Sequence, residues 1–210
     1  MRVSSVSSNS VRVAPQQERS VRRLAGFLEA AAELFTEVGY EAATMTAVAE
    51  RSGSSIGALY NYFPDKQSLA FTLLSQYSQE LEAHWRPLMQ RVETLTHAEF
   101  ADRFIECITE FAQRRPAYLS LHAAPIRFRR DSATRKASRV AIANAFQAKN
   151  PRLSNEEAFV AANVTLQIVK GMMTFYEEAD PKVKRLVVAE FKKVLTLYLG
   201  TVLFAGSEQS

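Results

Sequence analysis

Apolar residues return every three or four positions from Val21 to Val202, and no stretch alternates apolar and polar residues between turn formers as a strand would. That rhythm confines the chain to packed helices. The first stripe is Val21, Leu24, Leu28, Ala31, Phe35 and Val38, one face of a helix that Gly39 should end. A short helix is expected over Thr46–Ser52, broken by Gly53, and a second from a Ser54 or Ser55 cap to about Phe63. Pro64-Asp65 then opens a long helix from Lys66 to about Val92, with Asp65 as its cap. Further helices are expected at about 97–114, 116–123, 130–149, 154–178 and 182–204, with Pro87, Pro116, Pro125, Pro151 and Pro181 near or between them. The fold class is therefore all-α, with about nine helices: an N-terminal three-helix bundle followed by a larger C-terminal bundle. Residues 1–17, rich in Ser, Val and Arg without a sustained period, read as a flexible arm; 18–65 and 66–205 read as the two domains.

Composition excludes several classes. With 210 residues, of which 47% are hydrophobic and 23% charged, the chain can bury a substantial core and is not a disordered one. A single cysteine, Cys107, leaves no internal disulfide framework, and no run approaches the ~20 uninterrupted apolar residues of a membrane span. The N-terminal arm lacks the apolar block of a secretory signal, so a cytoplasmic protein without membrane contact is expected. The net charge of +4 invites a nucleic-acid partner but does not locate one. Up to residue 68, Arg2, Arg12, Arg19, Arg22, Arg23, Arg51 and Lys66 are balanced by Glu18, Glu29, Glu33, Glu37, Glu41, Glu50 and Asp65. The basic excess lies at Arg127, Arg129, Arg130, Arg135, Lys136 and Arg139, most simply a solvated face, and otherwise a seat for an acidic ligand group.

Local motif is more informative. Two short helices joined by a Gly-containing turn, as from Thr46 to Phe63, form a helix-turn-helix. Val48, Ala49, Ile56, Leu59 and Phe63 are expected to make the small core that fixes the angle between them. The second helix can then enter the major groove of double-stranded DNA, with Thr46, Ser54, Ser55, Gly57, Ala58 and Asn61 as candidate contacts. Small side chains let a helix sit deep, and Asn can pair with adenine through two hydrogen bonds. The hydroxyls of Tyr60 and Tyr62 can reach phosphates while their rings pack, and Lys66, in the first turn of the next helix, completes an expected phosphate clamp.

These residues resemble a known family. The segment from Arg19 to Leu69 is similar to the DNA-binding domain of TetR-type transcriptional regulators through Ala31, Ala32, Leu34 and Phe35, then Gly39-Tyr40, Thr44, Thr46, Val48 and Ala49. The pattern continues through Ser52-Gly53, Leu59-Tyr60-Asn61-Tyr62-Phe63, Lys66 and Leu69. The resemblance covers about a quarter of the chain; the remainder resembles the family only in length and helical pattern. It implies a homodimeric repressor on a palindromic operator, released when a small-molecule inducer enters the second domain. It further implies that Tyr60 and Lys66 hold phosphates and that Ser55, Gly57, Ala58 and Asn61 meet bases. Ile56 and Gly57 stand where such proteins vary, so the operator sequence does not carry over.

The last two helices are apolar around too much of their circumference for an isolated chain: Phe159, Val160, Val164, Phe175 and Tyr176 in one, Val187, Val194, Tyr198 and Val202 in the other. A helix apolar on both sides is buried on both, which points to an isologous homodimer through these helices, the alternative being the core of one large monomer. Trp85, Met89, Phe104, Cys107, Ile108, Phe111, Tyr118, His122, Met172 and Tyr176 are candidate ligand-pocket residues, apolar walls with a few polar tips, though the same spacing suits plain core. His84, His97 and His122 stand apart, with no metal-ligand spacing, and no cofactor is expected. An all-α enzyme and a helical protein-interaction module are the competing readings. The first lacks a phosphate-cradling Gly loop, a His-Glu-x-x-His pair and a Gly-x-Ser-x-Gly elbow; the second has no use for the tyrosines and Lys66.

Overall fold

The computed structural model describes residues 13–124 and 132–203, and every regular element among them is helical. The chain divides into two compact units, one ending at Thr72 and the other beginning at Leu73.

In the first unit, α1 (Val13–Ala42) runs past the expected stop, but Gly39 breaks it with φ 76° and ψ 168°. Only glycine adopts that left-handed backbone without strain, so the kink sits at the residue that should end the helix. Its start differs too: residues 13–17, expected in the arm, are helical, since Pro15 falls in the first turn, where its missing N–H is not needed. The rest of the arm, residues 1–12, lies outside the described residues. Helices α2 (Met45–Arg51) and α3 (Ile56–Tyr60) follow. Phe27, Leu34, Phe35, Val48, Ala49, Leu59 and Phe63 are buried together, and each fully buried Phe contributes about 1.5–3 kcal/mol. Ile56 does not join them: it is 38% exposed. The expected core loses that member because Ile56 opens a helix of one and a half turns whose inward position belongs to Leu59.

Helix α4 (Lys66–Met89) begins in this unit, and Asp65 caps it: its carboxylate accepts the Ser68 amide at 2.6 Å, while Ser68 Oγ faces the Asp65 amide at 3.3 Å. The helix outlasts Pro87 by two residues; a 3₁₀ turn at Val92–Thr94, not foreseen, completes the stretch.

The second unit holds the rest of α4, then α5 (His97–Arg114), α6 (Pro116–Ala123), α7 (Ser132–Lys149), α8 (Asn155–Glu178) and α9 (Lys184–Leu203). Reciprocal capping boxes, Thr96 with Glu99 and Ser154 with Glu157, start α5 and α8. Helix α5 packs on α9, and α8 lies against α6, α7 and α9. Lys192 fastens α9 to α5 through Asp102 at 3.1 Å and Glu106 at 2.7 Å. By length and composition α8 could also cross a membrane, but Thr165, Val169 and Met172 turn one side of it into the protein core.

Candidate nucleic-acid interface

The first unit builds its exposed face by satisfying helix ends locally. Thr44 Oγ1 accepts the Ala47 amide at 3.1 Å, which caps α2, and Ser55 Oγ accepts the Ala58 amide at 3.2 Å, which caps α3. Between them the chain reverses at Gly53, φ 63°, and the amides of Ser52, Gly53 and Ser54 return to the last carbonyls of α2. Arg51 holds α2 onto α1 through Glu37 at 2.6 Å, and this bond keeps the Glu37 carboxyl below its ordinary range.

The sequence-expected contacts fall into distinct groups. Thr46, Ser55, Gly57, Tyr60 and Asn61 are exposed, Tyr60 by 51% of its surface; Ser54, Ala58, Tyr62 and Lys66 are half-buried. A Cβ built on Gly57 would meet nothing within 4 Å, so this face of α3 is open. Helix α3 ends at Tyr60 rather than near Phe63, which puts Asn61 at its C-cap and Tyr62 in the following turn. The ring of Tyr62 meets the edge of Phe27, with centroids 5.4 Å apart, and a hydrogen bond at 3.0 Å joins its hydroxyl to that of Ser20.

Lys66, expected in a phosphate clamp, has its partners within the first unit. Its ammonium donates to the carbonyls of Tyr40, Glu41 and Ala43 at 2.8, 3.0 and 2.8 Å and sits 4.4 Å from the Tyr40 ring centroid. An ammonium has three N–H donors, and all three are directed into the corner that follows the Gly39 break, so Lys66 closes the end of α1.

Two basic side chains escaped the sequence reading. Arg19 and Arg23 are exposed beside Ser20 on α1, and neither joins an ion pair among the described residues. The charge count concealed them, because the balancing acids have partners elsewhere: Glu18 lies 3.9 Å from Arg22, while Glu33 and Glu37 serve Arg51.

In the second unit, seven of the ten candidate ligand residues are buried: Trp85, Met89, Phe104, Ile108, Phe111, Tyr118 and Met172. Cys107, His122 and Tyr176 are half-buried. Ring contacts gather five of them, Trp85, Phe104, Phe111, Tyr118 and His122, in two clusters. Trp85 and Phe104 lie 5.6 Å apart, with Phe100 stacked on Phe104. Phe111, Tyr118 and His122 form the second around Tyr77, whose hydroxyl burial pushes up to about 12. Tyr176 stands outside both, under the Lys184 ammonium. Burial and the neighbouring Glu110 and Glu106 hold the Cys107 thiol above its ordinary value. Thr165, fully buried on α8, has the one buried side-chain polar atom without a hydrogen-bond partner among the described residues.

The outer faces of α8 and α9 carry Val160, Phe175, Leu186, Val194 and Leu197, the last 72% exposed. An open groove of about 500 Å³ along α8 is lined by Gln167, Lys170, Gly171, Thr174, Phe175 and Glu178, and none of the ten candidates lines it. Of the basic run, Arg127, Arg129 and Arg130 lie outside the described residues, while Arg139 donates to the side-chain oxygen of Asn163.

Comparison with known proteins agrees with this arrangement. Residues 27–73 match the family model for bacterial regulatory proteins of the tetR family, and residues 96–199 match a tetracyclin repressor-like C-terminal domain. The HTH-type transcriptional regulator HbdR of Aromatoleum sp. (strain CIB) is 36% identical over 78 residues, 35% of this chain and 34% of that one. The HTH-type transcriptional repressor KstR of Mycolicibacterium smegmatis is 38% identical over 68 residues, 32% and 31% of the two chains. The chain thus spans about a third of the length of the curated relatives it matches. A TetR-family regulator structure from Mesorhizobium loti superimposes with a TM-score of 0.61 at 19% identity, covering 87% of this chain and 98% of that one. A TetR regulator from Rhodococcus sp. RHA1 gives 0.57 at 21% identity, with 85% and 96% covered. At these identities the structural likeness is one of fold.

Proposed function

The chain belongs to the TetR family, a family of bacterial transcriptional regulators and not of enzymes, and from that membership we propose that it represses transcription as a homodimer on a palindromic operator until a small molecule releases it. The observation that carries this reading is the open face of α3 behind the Ser52–Ser54 turn, with Gly57 leaving room for close approach. In this reading Ser55, Gly57, Ala58 and Asn61 meet bases, Thr46 and Ser54 flank them, and Tyr60 meets the backbone. Tyr62 and the arginines Arg19 and Arg23 meet the backbone on the side of α1.

Pairing through α8 and α9 covers the apolar residues those helices expose, and the groove beside Phe175 gives a second copy a place to seat side chains. Two α3 helices must then stand about 34–36 Å apart to reach successive major grooves. For the inducer, the aromatic clusters around Phe104 and Tyr118 supply apolar walls, and the partnerless Thr165 hydroxyl supplies a group for a ligand to satisfy. The test is paired: size-exclusion chromatography with light scattering on the purified chain, and gel retardation with genomic fragments selected by the protein. A dimer that prefers an inverted repeat over random duplex is expected; a monomer, or equal retardation of every duplex, overturns the reading.

A further inference from the structure

We infer that Ile56 selects thymine at one position of each operator half-site, through contact with the thymine 5-methyl group. The inference rests on the reading of α3 as the helix that enters the groove. Single exposed aliphatic side chains are common on protein surfaces, so its location is what gives this one meaning. Ile56 is the first residue of α3, directly after the Ser55 cap, and is 38% exposed, while Leu59, one turn on, is wholly buried.

The polar atoms around it are already engaged in shaping the backbone. Ser55 Oγ accepts from the Ala58 amide, and Ser54 Oγ donates to the Ser52 carbonyl at 3.5 Å. Gly57 has no side chain, and Ala58 offers only a methyl group. The leading end of α3 therefore offers base edges little beyond the proton of the Ser55 hydroxyl, and it carries one branched aliphatic chain. Among the four bases only thymine presents a methyl group in the major groove; cytosine carries a hydrogen at the same C5 position and gives Ile56 no methyl group to cover. Contact between the two removes the exposed part of Ile56 and the methyl group from water together, which is favourable without any directional bond.

The experiment separates this inference from the one beneath it. The full-length protein selects duplexes from a random library, and each thymine of the enriched half-site is then replaced by deoxyuridine, which removes the methyl group alone. Affinities are measured by fluorescence anisotropy at one salt concentration. One thymine per half-site is expected at which deoxyuridine weakens binding about three- to five-fold, the worth of one buried methyl-sized group. Ile56→Ala, at an exposed position, should melt with the wild type and bind the two duplexes alike. An enriched sequence at which no thymine responds to the exchange, or an Ile56→Ala protein that keeps the full preference for thymine, overturns the assignment of Ile56 alone. Failure to enrich any sequence overturns the DNA reading and this inference with it.

Discussion

The hydroxyl of Tyr62 lies 3.0 Å from that of Ser20, 42 residues earlier in the chain, and this bond brings the turn after α3 to the flank of α1 that bears Arg19 and Arg23. On the proposed reading, arginines so placed would reach backbone phosphates beside the groove that α3 would enter. Each phosphate neutralised contributes about 0.9 to the slope of log affinity against log salt concentration. Arg19→Ala and Arg23→Ala are each expected to lower that slope by about 0.9 on operator and random duplex alike. Slopes unchanged from wild type would remove these residues from the DNA surface.

Lys66 is expected to behave differently in the same assay. Its ammonium serves the carbonyls of Tyr40, Glu41 and Ala43, so Lys66→Met should leave the salt slope intact and destabilise the first unit by about 1–3 kcal/mol, the cost of abandoning charge-assisted bonds. Urea melts monitored by far-UV circular dichroism, beside the salt titration, check both halves; a lower slope with unaltered stability would restore a phosphate role.

The contrast between these residues shows how far sequence reached. Helix positions, caps such as Asp65 and Ser55, and the burial of Leu59 and Phe63 follow from spacing and residue chemistry within a few positions of each other. The partners of Lys66 lie 23 to 26 residues away and converge only because Gly39 turns the chain, which no local pattern encodes. The helix-turn-helix layout places Ile56 in the small core, but in a helix this short rotation about the axis is set by tertiary packing and not by periodicity. The candidate ligand residues illustrate the opposite case. Their burial was legible, but burial suits a pocket wall and plain core equally.

Thr165 carries a stability prediction. A buried hydroxyl without a partner costs free energy that an isosteric methyl does not, so Thr165→Val should stabilise the protein by about 1 kcal/mol in chemical denaturation. If the ligand bonds this hydroxyl, the same variant responds more weakly to inducer. A destabilised variant would mean that the hydroxyl is satisfied in solution.

Acid sensitivity follows from three N-terminal helix caps. Backbone and side-chain bonds from Ser68, Thr96 and Ser154 hold Asp65, Glu99 and Glu157 below their ordinary values of 3.8, 4.5 and 4.5. A carboxylate lowered by folding stabilises above its unfolded pKa and loses that contribution as pH falls through the folded one. Melting temperature should therefore drop as pH falls below about 4.5, and Glu99→Gln with Glu157→Gln should make that limb shallower. A limb of unchanged steepness in the double variant would show that other groups set it.

Association through α8 and α9 is open to a charge. Leu197, 72% exposed on the isolated chain, becomes buried if two copies pair there. Leu197→Glu is expected to yield a monomer by light scattering, with helical content retained and operator affinity reduced at least a hundredfold because the two half-sites are no longer bound together. A dimeric Leu197→Glu protein would move the interface elsewhere.

The corner after Gly39 also bears on how this chain can vary in length. One ammonium, fixed to the start of α4, is shared by carbonyls that span only Tyr40 to Ala43. Inserting or deleting even one residue there would carry at least one carbonyl out of its reach, and the turn could not be rebuilt by small adjustments. Insertions compatible with the fold must therefore avoid these four residues, and an engineered chimera of the first unit has to take Gly39, the corner and Lys66 from a single parent.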